Sequence, residues 1–144
     1  MRRNAFDAAV VGGGAAGMFA AICAAENGLR VLLLEKNERL GRKLAITGKG
    51  RCNVTNDCAP EEVLKNVPRN GRFLYSCVNA FPPTAMQAFL ESHGCPLKTE
   101  RGNRVFPVSD RSADVIAALE RELRRLNVTR SHTTVTGIAA DDNG

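Results

Sequence analysis

With 144 residues, the chain has room for one ordinary domain with a modest core. Its 44% hydrophobic and 24% charged content is that of a soluble globular protein, and no apolar run is long enough to span a bilayer. The net charge of +5 does not make nucleic acid an expected partner: the excess sits in residues 36–51, where six basic side chains face one acidic, and one Tyr and no Trp leave little for base stacking.

Ala8 to Val11 form a short apolar strand that runs into Gly12-Gly13-Gly14-Ala15-Ala16-Gly17. A helix follows to about Asn27, Gly28 closes it, and a second apolar strand, Val31 to Leu34, ends at Glu35. The helix is rich in Ala and poor in charge, which implies that both of its flanks are covered. The unbroken apolar run of the second strand is that of a buried parallel strand, laid beside the first by a right-handed crossover. Each part of this unit has a task in holding a dinucleotide. Gly12 lets the chain turn out of the strand, Gly14 lets bare backbone approach a pyrophosphate, and Gly17 lets the helix pack on the sheet. Ala21, one turn on, keeps that helix face small. The N–H groups that open the helix, and its dipole, face the phosphates. Glu35 stands where it can accept hydrogen bonds from a ribose hydroxyl. No Gly-Lys pair is followed by Ser or Thr, which excludes a Walker A loop.

Residues 36–56 read as a long, basic, structureless loop punctuated by Gly41, Gly48 and Gly50, and loops of this length are usually functional. Pro60-Glu61-Glu62 begins a short helix, Phe73 to Phe81 is another ended by Pro82-Pro83, and Thr84 to Ser92 is a third ended by Gly94. Leu97 to Glu100 and Arg104 to Val108 are extended. Ser112 is the expected N-cap of a helix whose stripe is Val115, Ile116, Leu119, Leu123 and Leu126, with Glu120–Arg124 as an i,i+4 pair outside. Asn127 breaks it, and Val128 to Ile138 supplies a last strand. Ala140-Asp141-Asp142-Asn143-Gly144 is a hairpin-turn signal without its second strand, so the chain reads as the N-terminal part of something longer. The order is β-α-β, a helical insertion over residues 57–95, then strand–helix–strand: an α/β, Rossmann-like fold with a parallel sheet.

Five cysteines (Cys23, Cys52, Cys58, Cys77, Cys95) include no C-x-x-C pair, and with only His93 and His132 beside them no metal site is expected. Reduced thiols suit the cytoplasm. Arg2-Arg3 imitates the start of a secretory signal, but Asp7 and three consecutive glycines interrupt the would-be hydrophobic region. His93 is expected at a helix end, in contact with exposed carbonyls, and His132 on a strand. Neither is assigned as a general base, and the catalytic residues stay unknown.

The stretch Glu35-Lys36-Asn37-Glu38-Arg39-Leu40-Gly41-Arg42-Lys43-Leu44, with Gly48-Lys49-Gly50-Arg51-Cys52-Asn53-Val54-Thr55-Asn56 and the opening fingerprint, closely resembles the two-dinucleotide-binding-domain flavoproteins of the glutathione-reductase-like superfamily. Within that superfamily it resembles the bacterial BaiN-like (YhiN-like) family, some of whose members are labelled aminoacetone oxidase-like. The resemblance covers nearly the whole chain. It implies an FAD-dependent oxidoreductase with NAD(P)H as electron donor and an unknown small-molecule substrate. Gly12, Gly14, Ala15, Ala16 and Gly17 would hold the FAD pyrophosphate and Glu35 the adenosine ribose. Lys36 and Lys43 would lie beside the adenosine and diphosphate. Gly50, Arg51, Cys52 and Asn53 would line the flavin side, where Arg51 would stabilise an anionic reduced ring. Val135, on the last strand, would meet the adenine edge. One departure stands out: the redox pair with four intervening residues found in disulfide reductases is missing, because Cys52 and Cys58 have five between them. A dithiol mechanism is therefore not expected. Cys52 is read as a packing or flavin-lining residue, and Cys23, Cys77 and Cys95 as buried small hydrophobes. A flavin-dependent tRNA-modifying enzyme and a non-catalytic nucleotide-binding module stand as alternatives. A plain NAD dehydrogenase is disfavoured by the basic loop after Glu35.

Overall fold

The computed structural model describes residues 6–140. They form two compact units, one from residues before 44 and after 118, the other from residues 44–118. In the first, β1 (Ala8–Val11), β2 (Val31–Glu35) and β6 (Thr129–His132) make a parallel sheet in the order β1-β2-β6, with Val10 beside Leu33 and Leu33 beside Arg130. Helix α1 (Ala15–Glu26) joins β1 to β2, and α6 (Ser112–Arg125) leads into β6. Both crossovers step the same way across the sheet, so right-handed connections place both helices on one face.

Burial follows from that one-sided cover. Val31, Leu33 and Glu35 are buried with Met18, Ala21 and Ile22 of α1, whereas Leu32 and Leu34 are half-buried and Val11 is 58% exposed. The continuous burial expected of β2 is thus an alternation. Likewise α1 buries one face rather than both, leaving Ala15, Ala16, Ala20 and Glu26 exposed. Strand β6 ends at His132, well short of Ile138, so Val135 lies three residues beyond it, half-buried and outside any ladder. The turn signal at Asp141 to Gly144 lies outside the described residues.

The second unit corrects the reading of residues 36–56 as structureless. Helix α2 (Arg42–Ile46) runs into a 3-10 turn (Thr47–Gly50), followed by β3 (Thr55–Asn56). Helices α3 (Pro60–Lys65), α4 (Tyr75–Ala80) and α5 (Pro83–Ser92) fill the expected helical segment, with a 3-10 turn, Gly71–Leu74, opening the one expected from Phe73. Strands β4 (Leu97–Glu100) and β5 (Arg104–Pro107) form an antiparallel hairpin that β3 extends in the order β3-β5-β4. These two extended segments therefore build a sheet of their own, because the three-residue connection between them permits a hairpin but no crossover. Cys52, Leu90, Cys95, Val115 and Ala118 form the core, flanked by Leu44, Val54 and Phe89.

Two further expectations change. The Ser112 hydroxyl donates to the Ala45 carbonyl (3.1 Å) instead of capping its own helix, and Cys77 is exposed, its thiol 3.1 Å from the Leu74 carbonyl. Cys23 is half-buried, and Cys95 is buried as expected. His93 ends α5 and its Nδ1 donates to the Phe89 carbonyl (2.6 Å), the helix-end contact anticipated for it. Among the described residues no helix is long and apolar enough to cross a membrane.

Candidate cofactor site

The four glycines at the start of α1 divide into two kinds. A Cβ on Gly17 would stand 1.7 Å from the Gly12 carbonyl oxygen, and one on Gly13 would stand 2.3 Å from Leu40 Cδ2 and 3.2 Å from Glu35 Oε2. Those two positions are glycine because protein occupies the space. At Gly12 and Gly14 an added Cβ would meet nothing within 4 Å, so there the backbone is left bare. Gly12 also needs its glycine for a φ of +102°, which turns the chain out of β1 while its N–H donates to the Leu34 carbonyl (2.8 Å). Gly14 caps α1 with no side chain and no acid follows in the first turn; the first N–H with an in-helix partner is that of Met18, donating to Gly14 (2.9 Å). The preceding N–H groups lack such a carbonyl, and Ala15 and Ala16 are exposed. Open N–H groups, a helix dipole and bare glycine backbone together fit a diphosphate.

Glu35 reaches into this turn from β2 and is 8% exposed. Its Oε2 accepts the Gly13 N–H (2.6 Å), and its Oε1 accepts the backbone N–H (2.8 Å) and side-chain amide (2.6 Å) of Asn37. The Asn37 backbone donor first, and the Gly13 donor next, hold the carboxyl below its ordinary range, against the opposing effect of burial. A carboxylate offers about four acceptor positions, so one stays available to a hydroxyl. Asn37 in turn accepts from Arg42 (2.9 Å), and Gly41 N–H donates to the Gly13 carbonyl (2.8 Å). The turn is clamped by the segment after β2 as well as shaped by its own glycines.

Gly13, Asn37, Leu40 and Gly41 are the residues that sequence reasoning missed here. Only the Asx residue two places after an acid, and the middle glycine of three in a row, offered a local signal. Of the residues singled out, Gly12, Gly14, Ala15, Ala16, Gly17 and Glu35 come together at this turn. Lys36 has an exposed side chain, and its carbonyl accepts from His132 Nε2 (2.9 Å); Lys43 is exposed on α2. The Arg130 guanidinium donates to the Glu38 carbonyl, tying β6 to the same segment.

Gly50, Arg51, Cys52 and Asn53 lie in the second unit, in a turn of unusual backbone. Gly48 (φ +55°), Lys49 (+58°), Gly50 (+85°) and Cys52 (+62°) all adopt left-handed conformations, which cost a side-chain-bearing residue about 1 kcal/mol. The Cys52 N–H donates to the Thr47 carbonyl (3.0 Å) to close the turn. Arg51 secures it from outside: its guanidinium donates to Asp110 (2.6 Å) and to Glu100, and lies 4.1 Å from the centre of the Phe106 ring. Lys98 joins Asp110 at 2.7 Å, so two cations face two anions. The positive charge expected to face a reduced flavin is committed to carboxylates in this structure. Cys52 is 1% exposed in the core, where burial pushes its thiol pKa up, which favours packing over thiolate chemistry. With its amide nitrogen turned inward, Asn53 donates to Val105 (3.1 Å) and Thr55 (3.0 Å).

The chain matches the HI0933-like protein Rossmann domain over residues 6–144 and belongs to that family. It is 36% identical over 121 residues to the 3-dehydro-bile acid delta(4,6)-reductase of Clostridium scindens, covering 83% of this chain and 29% of that protein. It is 32% identical over 140 residues to the ribosomal RNA dihydrouridine synthase of Escherichia coli, covering 96% of this chain and 34% of the relative. Among solved structures, the 3-ketosteroid-delta4-(5alpha)-dehydrogenase of Rhodococcus jostii RHA1 is similar with a TM-score of 0.66 at 17% identity, over 88% of this chain and 37% of that one. That last likeness is one of fold. The chain spans about a third of the length of the curated relatives it matches.

Proposed function

We propose that this member of the HI0933-like Rossmann-domain family is the cofactor-binding part of an FAD-dependent oxidoreductase that takes electrons from NAD(P)H and acts on a small molecule. The observation that carries the reading is the pair of bare glycines, Gly12 and Gly14, beside the uncapped start of α1, with Glu35 aimed into the same turn. The N–H groups of Ala15, Ala16 and Gly17 take the diphosphate, and the last acceptor position of Glu35 takes a ribose hydroxyl. That acid disfavours a 2′-phosphate here, which suits FAD better than NADP at this first site. Bound FAD supplies the electron chemistry; this chain's residues bind and orient it. Five free cysteines support a reducing compartment, the cytoplasm. The likeness to a ribosomal RNA dihydrouridine synthase supports a second reading, a flavin-dependent enzyme acting on RNA.

The test is titration of the purified chain with FAD, read by flavin fluorescence anisotropy, for wild type and Gly14→Val. Wild type binds, and the variant binds at least tenfold more weakly while its circular-dichroism melt is unchanged. A variant that binds FAD as tightly as wild type overturns the assignment. Anaerobic addition of NADH and NADPH to the flavin-loaded protein then identifies the donor by bleaching of the flavin absorbance.

A further inference from the structure

Two aromatic side chains of the second unit stand in water: Phe73 is 86% exposed and Tyr75 61%. Rings of this size usually bury most of their area, so two such residues within three positions mark a surface with an occupant. They are presented by packed backbone. Asn70 opens the 3-10 turn in a left-handed conformation, its carbonyl accepts the Phe73 N–H (2.9 Å), and a Cβ on Gly71 would come within 3.1 Å of the Leu64 carbonyl oxygen on α3.

Beyond Glu61 and Glu62, which open α3, the sequence around these rings carries one sign of charge. Between Glu62 and Glu91 the sequence holds Lys65, Arg69 and Arg72 and no acid. Lys65 pairs with Glu62 at 3.6 Å, whereas Arg69 and Arg72 are exposed and form no ion pair among the described residues. Guanidinium groups without counter-ions beside exposed rings suit a ligand with both phosphates and π faces. We propose that the segment from Arg69 to Tyr75 binds an unpaired stretch of RNA, with Phe73 and Tyr75 stacking on bases and Arg69 and Arg72 meeting phosphates. This departs from the expectation drawn from composition, because a count of aromatics does not reveal which of them face solvent. The surface lies apart from the glycine turn of the first unit in sequence, and the inference does not rest on the cofactor reading.

The experiment is fluorescence anisotropy of the purified chain, without FAD, against a labelled single-stranded RNA dodecamer, the matching DNA, and an RNA duplex. Wild type is expected to bind the single strand and to weaken as salt rises. Phe73→Ala with Tyr75→Ala lowers the affinity tenfold or more. Arg69→Gln with Arg72→Gln flattens the slope of log affinity against log salt by about 1.4, or about 0.7 for each lost phosphate contact. All four side chains are exposed, so the variants keep their circular-dichroism melts. A 4-thiouridine RNA should photo-cross-link within residues 69–75. The inference is overturned if the double-aromatic variant binds as tightly as wild type, if the duplex competes equally, or if the aromatic substitutions change only self-association or capture of an acidic protein. Failure of FAD to bind leaves each of these readouts intact.

Discussion

Two glycine-rich turns, residues 12–17 in the first unit and 47–53 in the second, reach special backbone shapes by different means. The first is shaped by missing side chains: Gly17 has no room for a methyl group, and its closest neighbour is backbone that cannot rotate away. The second contains side-chain-bearing residues in left-handed conformations, and the tether that secures it comes from Arg51 pairing with residues 49 and 59 positions further on. A turn shaped by steric exclusion should fail abruptly. A turn secured by charge should fail by degrees, and in response to pH.

The sharpest way to break this comparison is Gly17→Ala. Over-packing costs about 1–3 kcal/mol where side chains can give way; against a fixed carbonyl the cost should exceed about 3 kcal/mol, a large part of a small domain's stability. Gly14→Ala, with nothing to strike, should stay within about 1 kcal/mol of wild type, since it also restricts the unfolded chain. Urea midpoints measure both, and equal midpoints would show that the turn is not sterically set. Glu35→Gln comes next. Its amide can still accept from Asn37, but an NH2 set against the Gly13 N–H leaves a buried donor unmatched, at about 1–3 kcal/mol. The pH dependence has a definite sign. Because the folded carboxyl titrates below its ordinary range, its contribution is present above that range and is lost as pH falls through the lowered value. The Gln variant should be less stable at neutral pH and lose this part of the acid-side decline.

How much of this was legible follows the same division. The β-α-β unit, the steric tasks of Gly12 and Gly17, and the placement of Glu35 at the turn could be read from residues 8 to 35 because each signal is local: a strand, a turn, a helix start and an acid at the next strand end. The direct partners of Glu35 were not readable, since Gly13 and Asn37 meet it only once β2 is docked. In the second unit the wording around Gly50 to Asn53 drew attention to this turn, but nothing in it says that Arg51 pairs with Glu100 and Asp110. Residues 36–56 looked structureless because Gly41, Gly48 and Gly50 interrupt them; in the fold, Gly48 and Gly50 supply left-handed steps that follow α2. The last strand was read too long because the residues up to Ile138 keep a β-like composition, while the bonding to β2 stops with the Thr133 N–H on the Glu35 carbonyl.

For the second turn, Arg51→Met removes the cation shared by Glu100 and Asp110 and the ring contact with Phe106. The thermal midpoint should fall, but by less than in the Gly17 or Glu35 variants, because every group involved is partly solvated. Arg51→Lys should recover little of the loss, since a point charge replaces a fork that binds two carboxylates and stacks on a ring. In wild type, both carboxyls titrate below their ordinary range, Glu100 chiefly through Arg51 and Asp110 through Lys98 and then Arg51. Stability from these pairs is therefore full above that range and declines as pH falls through the lowered values. In the Met variant the decline should be smaller and be complete at higher pH. An unchanged acid limb would mean that Arg51 does not tether the turn through charge.

The smallest effect is expected at Asp7 and Arg30, and it tests whether the contrast belongs to the units or to the kind of contact. This pair sits in the first unit, at the base of β1 and β2: Arg30 donates through Nη2 (2.8 Å), Nε (3.0 Å) and its backbone N–H (2.8 Å) to the Asp7 carboxylate. The side chains are 64% and 36% exposed, so solvent and salt screen them. The Arg30 side chain, followed by its backbone N–H, lowers the Asp7 pKa to about 2. The pair should therefore persist as pH falls past the usual carboxylate range and be lost only near pH 2. Asp7→Asn keeps an acceptor for the backbone N–H and removes the charge, so its thermal midpoint at neutral pH should lie closest to wild type among these variants. Its difference from wild type should narrow with added salt and vanish toward the acid limit. A large, salt-independent loss would place this contact with the sterically set turn; a small, screened one shows that graded failure follows side-chain charge in either unit.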